Sequence, residues 1–157
     1  MIADERPALQ NDDLHLTLET MAISLYDWTK LVFDNQLFTP DARVISFTSQ
    51  GNTKAWKGYA AVSAAKAALE AITRNIALEF APYGIRANCI QAGATDTVSF
   101  RMIPGYEQLK ERSIRQNPFK RLTAPEDIAN VVYILCKDEA AWINGTVIIA
   151  DGGEHIH

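Results

Sequence analysis

The sequence predicts an α/β protein whose parallel strands alternate with helices, amounting to half of a doubly wound sheet. Apolar segments switch between strand and helix character in the order strand, helix, strand, helix, strand. The strands are short, continuous apolar runs, the pattern of a sheet covered on both faces. Connections long enough to hold a helix make the strands parallel, joined by right-handed crossovers. No repeat, low-complexity tract or Ser/Gly-rich linker interrupts the 157 residues, so a single folding unit over 1–157 is expected.

After a polar lead-in, Leu18, Met21, Leu25, Trp28 and Val32 recur at three- and four-residue steps, which turns one face of a helix toward a core. Thr39-Pro40-Asp41 stops it. Val44 to Ser49 is a β-rich run, followed by a turn-like stretch from Gly51 to Gly58. Tyr59 to Phe80 is rich in Ala, Leu, Glu and Lys without Gly or Pro, and reads as a long helix ended by Pro82-Tyr83-Gly84. Ile85 to Ile90 is the second strand, and Gln91 to Thr97 opens a loop. A short charged helix is expected from Tyr106 to Arg115, before Pro118. Thr123-x-x-Glu126, with Pro125 between, reads as a capping box for a helix with the buried stripe Ile128, Val131, Val132 and Leu135. Thr146 to Ala150 is the third strand and runs into Asp151-Gly152-Gly153.

The 15 basic and 19 acidic side chains give a formal net charge of -4, so no basic field is available to attract a nucleic-acid backbone. No run approaches the roughly 20 apolar residues of a membrane-spanning helix. The start of the chain is acidic apart from Arg6 and lacks the pattern of a secretory signal, so a soluble, cytoplasmic protein is expected. Cys89 and Cys136 lie in apolar runs without C-x-x-C spacing and are expected to be buried free thiols. His15, His155 and His157 are scattered near the ends, and no metal site is expected.

Six pieces in order carry a resemblance: Val44 to Ser49, the helix Tyr59 to Phe80, Gly84-Ile85-Arg86-Ala87-Asn88, Ala92 to Thr97, Arg121 to Asp127 and Asp151-Gly152-Gly153. Together, residues 18 to 153 resemble the C-terminal half of a short-chain dehydrogenase/reductase. The resemblance implies a partial Rossmann-like sheet of about three strands with flanking helices. The first half of that fold holds a dinucleotide pyrophosphate on a glycine-rich turn at a helix N-terminus. None of the eight glycines here precedes Gly51, so the isolated chain is expected to be inactive without a complementary N-terminal half.

Most members of that family carry Tyr-x-x-x-Lys with a Ser thirteen residues before the Tyr. Lys66 and Ser49 stand at the matching positions, but Val62 replaces the Tyr, and Tyr59 stands three residues earlier. The resulting Tyr-x6-Lys is similar to the enoyl-acyl-carrier-protein reductase branch. Tyr59 and Lys66 would share one helix face, separated by about 10 Å of rise. In ketone reduction, the carbon that accepts hydride bears the oxygen that becomes charged. In conjugate reduction of an enoyl thioester, hydride goes to C3 and charge collects on the more distant thioester oxygen. A hydroxyl moved by about one helical turn suits the second geometry.

Tyr59 is accordingly read as the hydroxyl that hydrogen-bonds the developing enolate. The resemblance implies that Lys66 binds the nicotinamide ribose and adds positive charge nearby. Either residue alone reads equally as an ordinary helix side chain, and only their shared register separates them. Ser49 is a third catalytic candidate, with a strand-end hydrogen bond as the alternative. The resemblance also implies Ala94 and Thr95 as backbone partners of the nicotinamide amide and Thr97 as a phosphate contact, against the alternative of a capped turn. Phe100, Met102 and Ile103 would line an acyl channel, pack in a core or form a lid.

The implied cofactor is NADPH or NADH, and the implied substrate a small acyl thioester used in fatty-acid synthesis. The alternatives are a 3-oxoacyl-type ketoreductase and a non-catalytic module. In the latter, the two long helices would pair copies into a homo-oligomer.

Overall fold

A computed structural model describes residues 9–103 and 105–156. The acidic start and His157 lie outside the described residues. The helical N-terminal region begins earlier than the apolar periodicity indicates: α1 (Asn11–Leu18) passes through one π-helical turn, Glu19–Ile23, into α2 (Ser24–Asp34). The local cause lies in the hydroxyl residues. Thr17, Thr20 and Ser24 each donate to the carbonyl four residues back, at 2.6, 2.7 and 2.7 Å, and such back-bonding competes with the helical ladder.

The remaining elements follow the predicted order. They are β1 (Arg43–Ser49), α3 (Ala60–Glu79), β2 (Arg86–Ala92), α4 (Val98–Arg101), α5 (Tyr106–Gln116), α6 (Pro125–Leu135) and β3 (Val147–Ala150). The three strands lie in the order β1-β2-β3, and both pairings are parallel.

The central strand explains the two-sided cover. Ala87 to Gln91 are all buried, although successive side chains point to opposite faces. Ala87 joins Ile76, Ala77, Phe80 and Ile85 in a core to which Leu25, Phe33, Val44 and Ile72 pack. This is the face covered by α3 and α2. Helix α6 packs against β2 and β3 and carries the buried Leu135. At the other end of the strands, Arg43 and Arg86 are register partners, an arrangement of like charges that would be destabilising by itself. Asp41 resolves it by accepting hydrogen bonds from both guanidinium groups.

Two local expectations change. The α6 cap is Ala124, not Thr123, and the carboxylate that accepts its backbone N–H, at 2.8 Å, is Asp127 rather than Glu126. Thr123 is drawn away into a parallel bridge with Thr95. Both cysteines are free, but only Cys89 is buried, because Cys136 falls just past Leu135 at the exposed end of α6.

Ile76 is fully buried at the centre of the α3 core. Replacing it with Ala should lower the unfolding free energy by about 2–5 kcal/mol, read from the urea midpoint at unchanged slope.

Candidate active site

Because the strands are parallel and in register, they end together: Ser49 pairs with Ala92, and Ala92 with Ala150. Ligands of open α/β sheets bind beyond this carboxyl edge. The chain leaves β1 through a 3-10 turn, Gln50–Asn52, and returns to the edge at Tyr59, the N-cap of α3.

Tyr59 lies against Gly51 so closely that a Cβ on that glycine would sit 2.4 Å from the Tyr59 Cε1. No larger residue fits there without displacing the ring. The turn is held from both sides: Ser49 Oγ accepts the Gly51 N–H at 3.4 Å, and Ser63 Oγ donates to the Gly51 carbonyl at 2.5 Å. Trp56 meets the Tyr59 ring edge-on, with centroids 5.2 Å apart. Ser49 is therefore engaged in a strand-end hydrogen bond next to the phenol.

Two turns along α3, Lys66 Nζ donates to the carbonyl of Phe47, 2.7 Å away, near the same end of β1. Burial lowers the Lys66 pKa, opposed by Cys89 and by the Glu70 carboxylate. Glu70 Oε1 accepts from Thr48 Oγ1 at 2.7 Å and from Asn52 Nδ2 at 2.6 Å. The Asn52 Oδ1 is buried without a partner among the described residues. Sequence reading missed Glu70, although its position four residues after Lys66 on one helix face was a usable signal.

The loop after β2 starts from the same edge. Ala94 donates its N–H to Glu154 Oε2 at 3.0 Å and accepts the Thr123 N–H on its carbonyl at 2.9 Å. Both of its polar backbone groups are thus used within the protein. The Thr95 hydroxyl donates to the Gly93 carbonyl at 3.0 Å. Thr97 caps α4 by accepting the Phe100 N–H at 3.2 Å. Asp96 takes both Arg101 Nε and Nη2, at 2.7 and 3.0 Å, together with the Tyr106 hydroxyl at 3.0 Å. Of the apolar residues in the covering segment, Met102 is 77% exposed while Phe100 packs edge-on against Tyr106.

Asp151 and Glu154 are buried behind this loop, and no sequence motif pointed to Glu154. Asp151 accepts from the backbone of Gly153 and His155, and Gln50 reaches it from the β1 turn at 3.5 Å. Among the described residues, no group of three or more His, Cys, Asp or Glu could hold a metal ion, and no helix is long and apolar enough to cross a membrane.

Comparison with known proteins places this geometry. A sequence model of the family described as enoyl-(acyl carrier protein) reductase matches residues 4–155. Acetoacetyl-CoA reductase of Shinella zoogloeoides is 35% identical over 143 residues, covering 91% of this chain and 59% of the relative. Enoyl-(acyl-carrier-protein) reductase (NADH) of Aquifex aeolicus is 34% identical over 113 residues, 72% of this chain and 42% of the relative. The crystal structure of the Aquifex aeolicus VF5 enoyl reductase (NADH) superposes with a TM-score of 0.88 at 28% identity, covering 96% of this chain and 58% of that one. The chain thus spans less than two thirds of the length of these relatives.

Arg101, followed by Tyr106, holds the Asp96 carboxyl down at about 2. The folded pKa lies below the unfolded carboxylate value of about 3.9, so the contribution of this group to stability is present above that value and is lost as pH falls toward 2. In Arg101→Leu the Asp96 carboxyl resonance, followed by NMR, should titrate at higher pH, back toward the unfolded value.

Proposed function

The chain belongs to the enoyl-(acyl carrier protein) reductase family of short-chain dehydrogenases/reductases, and from that membership we propose that it takes part in the NAD(P)H-dependent reduction of an enoyl thioester. The observation that supports this reading is the placement of Tyr59. The phenol packed over Gly51 at the carboxyl end of β1 is the one in Tyr-x6-Lys register, and Lys66 brings its ammonium to the same strand end.

The described residues suit the nicotinamide-ribose end of such a nucleotide. Lys66 supplies a partly buried cation near the end of β1, and the loop from Gly93 to Thr97 leaves the neighbouring strand β2 at the same edge. No glycine-rich turn leads from a strand into a helix among the described residues, so these residues do not supply the pyrophosphate site. When bound, a reduced nicotinamide would supply a hydride to C3 of the enoyl thioester and become oxidised, and the resulting enolate would take its proton at C2 from solvent. Tyr59 donates a hydrogen bond to the thioester oxygen as negative charge collects there. Lys66 binds the ribose hydroxyls, and its charge favours that developing anion. Ser49 keeps the Gly51 turn, and with it the Tyr59 ring, in place.

The exposed Leu16, Trp28, Leu31 and Leu78 on α1, α2 and α3 support pairing of two copies through these helices. A second reading is favoured by the acetoacetyl-CoA reductase relative, which matches most of this chain: reduction of a 3-oxoacyl thioester.

Turnover of crotonyl and acetoacetyl thioesters by the chain, with its complementary half supplied, separates the two. Preference for crotonyl supports the enoyl reading, and preference for the keto substrate overturns it. Tyr59→Phe should lower kcat about a hundredfold with nucleotide affinity nearly intact, whereas Lys66→Ala should weaken both. Failure of the wild-type chain to quench its Trp fluorescence with millimolar reduced nucleotide would favour a non-catalytic pairing module.

A further inference from the structure

We propose that Glu154 is a positioning residue that sets the backbone platform for the nicotinamide amide, an inference that rests on the cofactor reading of the Gly93–Thr97 loop given above. A carboxylate that is only 5% exposed carries a large desolvation cost unless strong hydrogen bonds offset it. Among the described residues its carboxylate accepts from the loop the N–H of Ala94, 3.0 Å from Oε2. A hydrogen bond to a charged acceptor is roughly twice as strong as one between neutral groups.

The loop is shaped for this contact. A Cβ on Gly93 would lie 2.5 Å from Thr123 Oγ1, 2.9 Å from Glu154 Oε2 and 3.0 Å from Asp151 Cβ, so only glycine lets the backbone approach. Thr123 holds the following peptide, Ala94–Thr95, by donating its N–H to the Ala94 carbonyl. Ala94 is thereby clamped from both sides, which orients the next residue, Thr95. The Thr95 N–H has no backbone partner among the described residues, and in this proposal it is the donor that meets the nicotinamide amide.

Glu154 is itself held firmly. Asp151 is 2% exposed and fixes the turn by accepting the N–H of Gly153 at 2.9 Å and that of His155 at 2.8 Å. Asn117, just past α5, donates to the Asp151 carbonyl at 2.9 Å. With the Glu154 N–H donating to the Asp151 carbonyl at 3.2 Å, a continuous hydrogen-bonded path runs from the end of α5 through Asp151 and Glu154 to Ala94. Glu154 reaches the loop, not the substrate, so it acts through Ala94.

The test uses the isotopically labelled full chain and reduced nicotinamide mononucleotide, followed by amide NMR. In the wild type, nucleotide should shift the Gly93 to Thr97 amides, and the Ala94 amide should exchange slowly with solvent. Glu154→Met keeps the side-chain volume but removes the acceptor. It should weaken nucleotide binding about tenfold and speed Ala94 exchange at least about tenfold, with the amides around Ser46 and Thr73 unchanged. Glu154→Gln retains an oxygen acceptor and should restore binding to within about threefold of wild type.

Wild-type affinity in Glu154→Met would overturn this proposal alone. A wild-type chain that shows no nucleotide-induced shift would overturn the cofactor reading and this proposal with it. If Glu154→Met does not fold, the wild-type Ala94 amide decides: exchange as fast as that of the exposed Val98 rejects the clamp, and slow exchange supports it.

Discussion

One stripe of α3 governs how the rest of the molecule is arranged. Tyr59, Ser63, Lys66, Glu70, Thr73, Ala77 and Phe80 recur at three- and four-residue steps and form the side of the helix that meets the sheet. At the far end the stripe is apolar, where Ala77 and Phe80 join Ile76 in the core. Toward the carboxyl edge it becomes polar, and each polar member is tied to β1 or its turn. Thr73 pairs with Ser46 at 2.8 Å, Glu70 with Thr48 at 2.7 Å, Lys66 with the Phe47 carbonyl at 2.7 Å and Ser63 with the Gly51 carbonyl at 2.5 Å. Sliding the helix by one turn would break all four links and strand buried polar groups, each at about 1–3 kcal/mol. The register of the helix on the strand, and hence the position of the Tyr59 phenol, is therefore strongly determined.

The polar links also give the site its electrostatic character. A lysine drawn out of water against a backbone carbonyl loses some of its preference for the charged form, while Glu70 restores part of it. At the loop after β2, a buried Glu154 accepts the Ala94 N–H, while a buried Asp151 fixes the turn that carries Glu154 by accepting the N–H of Gly153. The candidate site thus combines a phenol and a cation on one helix with a loop at the same sheet edge that is held at Ala94. Rigid support of this kind holds reacting groups within the narrow tolerances that positioning demands.

The chain spans 59% of the acetoacetyl-CoA reductase it resembles and 42% of the Aquifex enoyl reductase. What it holds is the part of the fold that carries the phenol, the lysine, the loop after β2 and the covering helix. In a doubly wound sheet, the adenosine and pyrophosphate belong to the other half.

Sequence alone determined the alternation of strands and helices, the parallel sheet, the long α3 and the Tyr59 to Lys66 register, because each is written in local periodicity and spacing. It also indicated Ser49 and the Gly93–Thr97 loop as candidates, without their partners. Tertiary structure decided the features that depend on distant contacts. The α6 cap moved from Thr123 to Ala124 because Thr123 is recruited by Thr95, 28 residues before it in the chain. Glu154 meets the loop after β2 only through a hydrogen bond to a residue 60 positions away. Cap choice, burial of a carboxylate and the orientation of a loop peptide are settled by which donors and acceptors the folded chain brings together, and no local pattern encodes that.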